Sequence, residues 1–223
     1  MSRLFLFDID STLVHTKAGS RAMGRAFQAV FGVQDALAEE TFYGRTDRLI
    51  IKDALRRHGL LTARYEELLP RLQVTYLVFL RQTLREDQDG RALPGARELL
   101  GALSSAPGTY LGLVTGNFRD SAFMKLQHFE LAAYFQDGGF GDDAEARTAI
   151  LRVGIKRLEE RVGASFPRDQ IFMVGDSISD MEAARDQGVV SVGVATGKDS
   201  AEALRAAGAT SVFSDLEVAR ALV

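Results

Sequence analysis

The chain has no cysteine, which excludes disulfides, thiolate metal ligands and a cysteine nucleophile together. It has no long hydrophobic run at its start either. The N-terminal apolar stretch stops at Asp8, too soon for a signal-peptide core or a membrane span. Nor is positive charge in excess: 27 basic residues stand against 30 acidic ones, a formal charge of −3 with a pI near 5.7. That balance gives no support to nucleic acid as a partner. No internal repeat or low-complexity tract interrupts the chain. The expectation is a soluble cytoplasmic protein with neither membrane nor nucleic-acid partner, acting as a monomer or homodimer.

What is there is a globular composition, 46% hydrophobic and 26% charged over 223 residues, enough to bury a full core. The charge is uneven. Residues 14–92 carry 13 basic and 10 acidic side chains, and the remainder 14 and 20. A basic segment set against an acidic remainder suits an anionic substrate held over metal-binding carboxylates, although arginines on solvated helices produce the same balance.

The most informative segment is Arg3-Leu-Phe-Leu-Phe-Asp8-Ile-Asp10-Ser11-Thr12. It reads as a buried strand whose tip carries two carboxylates one residue apart. Alternation along an extended backbone points Asp8 and Asp10 the same way. Like charges aimed together need a cation or a shared proton, as in metal-assisted phosphoryl transfer. Asp, Ser and Thr also make an ordinary capped turn, so the rest of the chain must decide.

From Ala92 onward apolar runs alternate with helical stretches, as in βα units around a parallel sheet. Strands are predicted at Thr109–Val114, Gln170–Val174, Val189–Val194 and Ser211–Phe213, with a weaker candidate around Phe135. Helices are predicted at Arg119–His128 and Glu145–Arg161. Between about Ala18 and Glu86 no convincing strand is found, only helical runs at Ala18–Phe31, Asp47–His58 and Glu66–Arg85. There Pro70 must fall near a helix start or kink the helix. The order predicts an α/β fold: a Rossmann-like, doubly wound parallel sheet from residues 1–13 and 92–223, with an all-α cap, residues 14–91, inserted after the first strand. Leu13–Lys17 and the polar stretch Asp87–Arg91 would be its hinges.

Three strand ends then carry polar clusters: Asp8/Asp10/Thr12, Thr115-Gly116-Asn117, and Gly175-Asp176-Ser177-Ile178-Ser179-Asp180. Ligands of open parallel sheets bind beyond the carboxyl ends of the strands, so clusters distant in sequence can converge there. Taken alone, Gly-Asp-Ser is also a turn and a helix N-cap, with Asp180 in the first turn.

In this order the three segments resemble the motifs of the haloacid dehalogenase-like superfamily of aspartate-nucleophile phosphohydrolases, and the resemblance spans the chain, inserted cap included. It implies that Asp8 attacks phosphorus and becomes an aspartyl phosphate, and that Asp10 serves as general acid and then general base. It implies that the Asp8 carboxylate, the Asp10 backbone carbonyl and Asp176 hold Mg²⁺. Thr115 and the amides of Gly116 and Asn117 would grip the phosphate. Thr12 and Asp180 would stand behind these groups, Asp180 ordering metal-bound waters or a basic partner. The family's third motif is a basic residue, and no Lys-Pro precedes the fourth motif here. Arg147 stands where it should and could contact phosphate and Asp8; Lys125 and Lys156 compete, each read as a solvated helix charge. Ser11 departs from the glycine that many relatives carry.

Asp10 argues against haloalkanoate dehalogenases, which lack this acid, and against phosphonatases, which place a small residue there. A phosphatase is favoured over a sugar phosphomutase because hydrolysis needs only water, whereas a mutase must exclude it. A receiver-like phospho-acceptor domain is the non-enzyme alternative, but such domains lack the helical insertion. The expected substrate is a small phosphorylated metabolite selected by the cap. Tyr43-Gly-Arg-Thr-Asp47 is similar to a cap segment of phosphoglycolate phosphatase and phosphoglucomutase relatives. There Arg45 could reach a substrate carboxylate or hydroxyl, while His15 or Lys17 could line the entrance. Thr46 also reads as an N-cap and Asp47 as a partner of the helix dipole.

Overall fold

In a computed structural model, which describes residues 2–37, 42–62 and 65–219, the elements run β1 Arg3–Phe7, β2 Val14–His15, α1 Ala18–Phe31, α2 Asp47–Arg57, α3 Tyr65–Glu86, β3 Arg91–Ala92, α4 Ala96–Ser105, β4 Thr109–Val114, α5 Arg119–His128, β5 Gly138–Gly139, α6 Arg147–Val162, β6 Ile171–Gly175, α7 Ile178–Gln187, β7 Val190–Val194, α8 Ala201–Ala206 and β8 Ser211–Phe213. Six strands form one parallel sheet in the order β5-β4-β1-β6-β7-β8. The fold is the expected α/β one. Among the described residues no helix is long and apolar enough to cross a membrane.

β1 lies at the centre, with Phe5 opposite Leu111 on one side and Phe172 on the other. Helices cover both faces of such a sheet, so its strands read as unbroken apolar runs. Successive side chains still take opposite faces. Phe5 and Phe7 enter a cluster with Leu99, Leu113 and Phe135, whereas Leu4 and Leu6 join Val114, Ile150, Leu151, Ile171 and Met173. The chain moves from β1 outward to β4 and β5, then crosses to β6 on the other side of β1. The reversal of strand order therefore falls at β1, where a crevice opens at the carboxyl edge.

The helical segment buries one stripe of each helix: Ala22, Met23, Ala26 and Phe27 on α1, Ile50, Ile51 and Ala54 on α2, and Leu69, Leu72, Tyr76, Leu80 and Leu84 on α3. These recur every three or four residues, the spacing of an amphipathic helix. The stripes are continuous with the cluster on one face of the sheet. Pro70 falls in the second turn of α3, near the helix start.

Three expectations are corrected. The polar stretches read only as hinges are tied together: β2 and β3 pair antiparallel, Val14 with Ala92 and His15 with Arg91. Asp87 clasps the crossing by accepting from Lys17 N at 3.1 Å and pairing with Arg21 at 2.9 Å. Two-residue strands are too short to show a period, which is why the sequence hides them. The strand sought around Phe135 lies further on, at Gly138–Gly139, where two glycines carry little strand propensity. The helix expected from Glu145 begins at Arg147.

Candidate active site

Because β1, β4 and β6 are adjacent and parallel, the residues following each emerge on one edge. The Asp8 amide donates to Val174 O (2.9 Å) and the Thr115 amide to Gly139 O (3.1 Å), so the first residue past β1 and the first past β4 are still held by a neighbouring strand. The turn after β1 folds back tightly, Leu13 N donating to Ile9 O and Ser11 N to Val14 O. It forces Ser11 to φ 64°, a left-handed conformation costing an L-residue roughly 1–2 kcal/mol. The glycine common at that place would avoid this strain.

Asp8, Asp176 and Asp180 are buried, with one carboxylate oxygen of each within 4.8 Å of the others. Arg147 reaches them from the first turn of α6: Nη1 lies 3.3 Å from Asp8 Oδ1, and Nε 3.2 Å from Asp180 Oδ1. The second contact is an ion pair only. Its direction is wrong for a hydrogen bond, so Asp180 Oδ1 keeps a buried lone pair with no donor among the described residues. The other Asp180 oxygen accepts from the Ser177 hydroxyl (2.6 Å) and amide (3.3 Å), closing a capping box at the start of α7. Thr12 donates to Asp176 Oδ1 at 2.8 Å.

Burial pushes the Asp8 carboxyl up to about 7; Arg147 pulls it down, but Asp180 and Asp10 oppose that pull. Asp176 is raised well above the ordinary carboxylate value for the same reason, with Asp8 adding repulsion. Three carboxylates face one guanidinium, and full ionisation leaves two negative charges unmatched. The donor set is all oxygen, which suits a hard divalent cation. There is also room, since Asp8 and Asp176 both open onto one cavity; a Cβ on Gly197 would fall 1.8 Å from Asp176 Oδ2, so only glycine can pack its backbone beside that oxygen. The residues fit a divalent metal.

The Asp10 carboxylate stands apart from this cluster. Lys125 Nζ donates to both of its oxygens, at 2.8 and 2.7 Å, and to Asn117 Oδ1 at 2.7 Å. Asn117 Nδ2 donates to Asp10 Oδ2 and to Thr115 Oγ1, both at 2.7 Å. Lys125 is thus buried in the site, which corrects its reading as a solvated charge. The signal was available in the helical period, since Ser121, Ala122, Lys125 and Leu126 form the buried side of α5. Lys156, by contrast, does face solvent, 3.7 Å from Glu160.

The helical segment closes over this edge through Gly44–Asp47. Asp47 N donates to Gly116 O (2.8 Å), and Asp47 Oδ2 accepts from Phe118 N (2.9 Å). A Cβ on Gly116 would lie 2.2 Å from Arg45 O. The Ser179 hydroxyl donates to Gly44 O at 3.0 Å. Thr46 caps α2, accepting from Leu49 N at 3.3 Å. Asp47 does more than complement a dipole: it is buried against the core, and that burial raises its carboxyl to about 6. The Arg45 guanidinium pairs with Asp53.

Asp8, Asp10, Thr115, Gly116, Asn117, Arg45 and Arg147 line one cavity of about 420 Å³, with His15 and Lys17 at its wall and Lys198, which the sequence reading passed over. Residues 3–188 match a family model for haloacid dehalogenase-like hydrolases. The chain belongs to that family. It is 32% identical over 203 residues to a phosphoglycolate phosphatase of Agrobacterium fabrum, covering 88% of this chain and 82% of that protein. It is 30% identical over 218 residues to a phosphoglycolate phosphatase of Rhodospirillum rubrum, covering 96% and 88%. Among solved structures, a hydrolase from Pseudomonas syringae shares the fold with a TM-score of 0.69 at 24% identity, over 97% of this chain and 95% of that one. The expected family and enzyme class are thereby met.

Proposed function

We propose that the protein is a magnesium-dependent phosphatase that hydrolyses a small phosphate monoester through an aspartyl phosphate on Asp8. The observation that carries this reading is the shared cavity: Asp8, paired with Arg147, faces the same space as Asp10 and the Thr115–Asn117 loop. In the first half-reaction Asp8 attacks phosphorus, the bond to the leaving oxygen breaks, and Asp10 gives that oxygen its proton. In the second, Asp10 takes a proton from the water that cleaves the aspartyl phosphate, restoring the starting state. Thr115 and the backbone of Gly116 and Asn117 hold the phosphate oxygens. Arg147 balances the charge of Asp8, with Asp180 behind it, and Thr12 orients Asp176. Asp8, Asp176 and the Asp10 carbonyl would hold Mg²⁺, which when bound offsets the repulsion between an anionic nucleophile and an anionic phosphate.

Residues 14–91 act in this reading as the substrate-selecting cap over a catalytic core of residues 1–13 and 92–223. The phosphoglycolate phosphatases among the relatives support a phosphorylated small acid as substrate, its carboxylate meeting Arg45, His15 or Lys17 at the cavity wall. The test is phosphate release from phosphoglycolate and p-nitrophenyl phosphate with and without Mg²⁺, in the native protein and in Asp8→Asn. Metal-dependent turnover that Asp8→Asn abolishes is the expected result. Turnover surviving that substitution would overturn the mechanism.

A further inference from the structure

Two cations enter the site from different helices, and they do not serve the same carboxylates. Arg147 serves Asp8 and Asp180. Lys125 touches neither, and its side chain is 5% exposed against 40% for Asp10. An ammonium has three protons, and here three acceptors take them: Asp10 Oδ1, Asp10 Oδ2 and Asn117 Oδ1. The lysine is a closed tripod. Its flexible stem is immobilised and its charge desolvated, a large cost for an anchor that a packed apolar side chain could replace. Its charge also favours the buried Asp47, but the carboxylate that the lysine hydrogen-bonds is Asp10. Asp10 is half-exposed, it precedes the strained Ser11, and it has the neighbouring Asp8 charge to repel it.

We propose that Lys125 is a positioning residue for Asp10: its ammonium, pinned by Asn117, holds the Asp10 carboxyl group over the cavity in line with the phosphoester oxygen. The inference rests on the phosphatase reading and adds a residue to it. Asp10 still gives its proton to the leaving oxygen as the phosphorus–oxygen bond breaks and recovers one from water. Lys125 transfers none. A proton donor displaced by even an ångström loses much of its effect, so removing Lys125 should mimic, in weaker form, removing the Asp10 acid.

Leaving-group dependence tests this. Nitrophenolate departs without a proton, whereas the alkoxide of an alkyl phosphate such as phosphoglycolate needs one. With Mg²⁺ present, kcat/KM covers the steps up to aspartyl-phosphate formation and should be measured on both esters. Lys125→Gln is expected to lose about 100-fold on the alkyl ester and less than about 3-fold on p-nitrophenyl phosphate, within the usual range for general acid catalysis. Asp10→Asn should show the same selectivity more strongly, and the double variant should be no worse than Asp10→Asn alone. Lys125→Arg keeps the charge but shifts the donors, and should give a selective loss of roughly tenfold. That variant preserves the readout if Lys125→Gln does not fold. An equal loss on both esters, or none, in the lysine variants while Asp10→Asn stays selective would overturn the role of Lys125 alone. An unselective Asp10→Asn would overturn the acid assignment and this proposal with it.

Discussion

The sheet edge and the helical segment above it hold their charges in opposite ways. At the edge, Asp8, Asp176, Asp180, Lys125 and Arg147 are buried, and each is held by partners drawn from separate loops and helices. In the helical segment several arginines pair within the segment itself, although Asp47 is buried against the core and Lys52 reaches across to Glu145 of the core. Arg45 and Arg56 share Asp53, and Arg48 reaches Glu66 at 3.1 Å, all on partly exposed side chains. Exposed pairs of this kind contribute little, whereas buried ones lock a geometry at a cost in desolvation. The difference separates two tasks. In the proposed reading the reacting groups stand at the buried sheet edge, and groups facing the variable end of a substrate stand where they can be exchanged without unfolding the core.

That contrast can be broken where the two regions touch. Gly116→Ala should have the largest effect, because the added methyl meets the Arg45 carbonyl at 2.2 Å. We expect a loss of about 1–3 kcal/mol in thermal or urea unfolding together with a marked fall in kcat/KM. Unchanged unfolding and activity would mean that the two loops do not pack backbone to backbone. Arg45→Ala sharpens the contrast from the other side. It should raise KM for a carboxylate-bearing phosphate ester about tenfold, consistent with a lost charged hydrogen bond, and leave kcat nearly unchanged. A fall in kcat at constant KM would move Arg45 into the chemistry.

A smaller effect concerns the carboxylate cluster. Asp8 and Asp176 have folded-state pKa values above those of the unfolded chain. As pH rises from about 4 toward 7, the unfolded carboxyls ionise first, so metal-free stability contributed by these groups falls. A bound divalent cation favours the ionised forms and offsets that loss. The rise in melting temperature on adding Mg²⁺ should therefore be greater at pH 8 than at pH 5. An equal rise at both would remove these aspartates as the binding site. The smallest change is Ser11→Gly, which relieves the left-handed backbone at φ 64° and should stabilise the protein by roughly 0.5–1 kcal/mol. A destabilised variant would show that the Ser11 side chain makes a contact outweighing its strain.

Much of the core was readable from short patterns. The run Leu4–Phe7 announced a buried strand, and each of the three polar clusters follows a strand that its apolar residues betray. Long helices were equally plain, since α1 and α5 begin and end where their periodicity does. The β2–β3 ribbon and the Gly138–Gly139 strand were hidden, because two residues carry no period and glycine carries no propensity. Lys125 reads as solvated because a charged residue on a helix usually is, yet it shares the buried side of its helix with Ser121 and Ala122. Asp47 offered an adequate local role at a helix start, and nothing local reveals that the Phe118 amide lies beside it.

The sequence by itself determined which residues reach the sheet edge, because alternation, run length and motif order are local properties of a chain that buries its apolar side chains. Only the tertiary structure decided that Lys125 serves Asp10 and that Arg147, expected beside Asp8, also reaches Asp180. Arg147 follows Asp8 by 139 residues and Lys125 follows Asp10 by 115. At such separations pairing is set by how helices pack on the sheet and by which buried charge would otherwise stand alone.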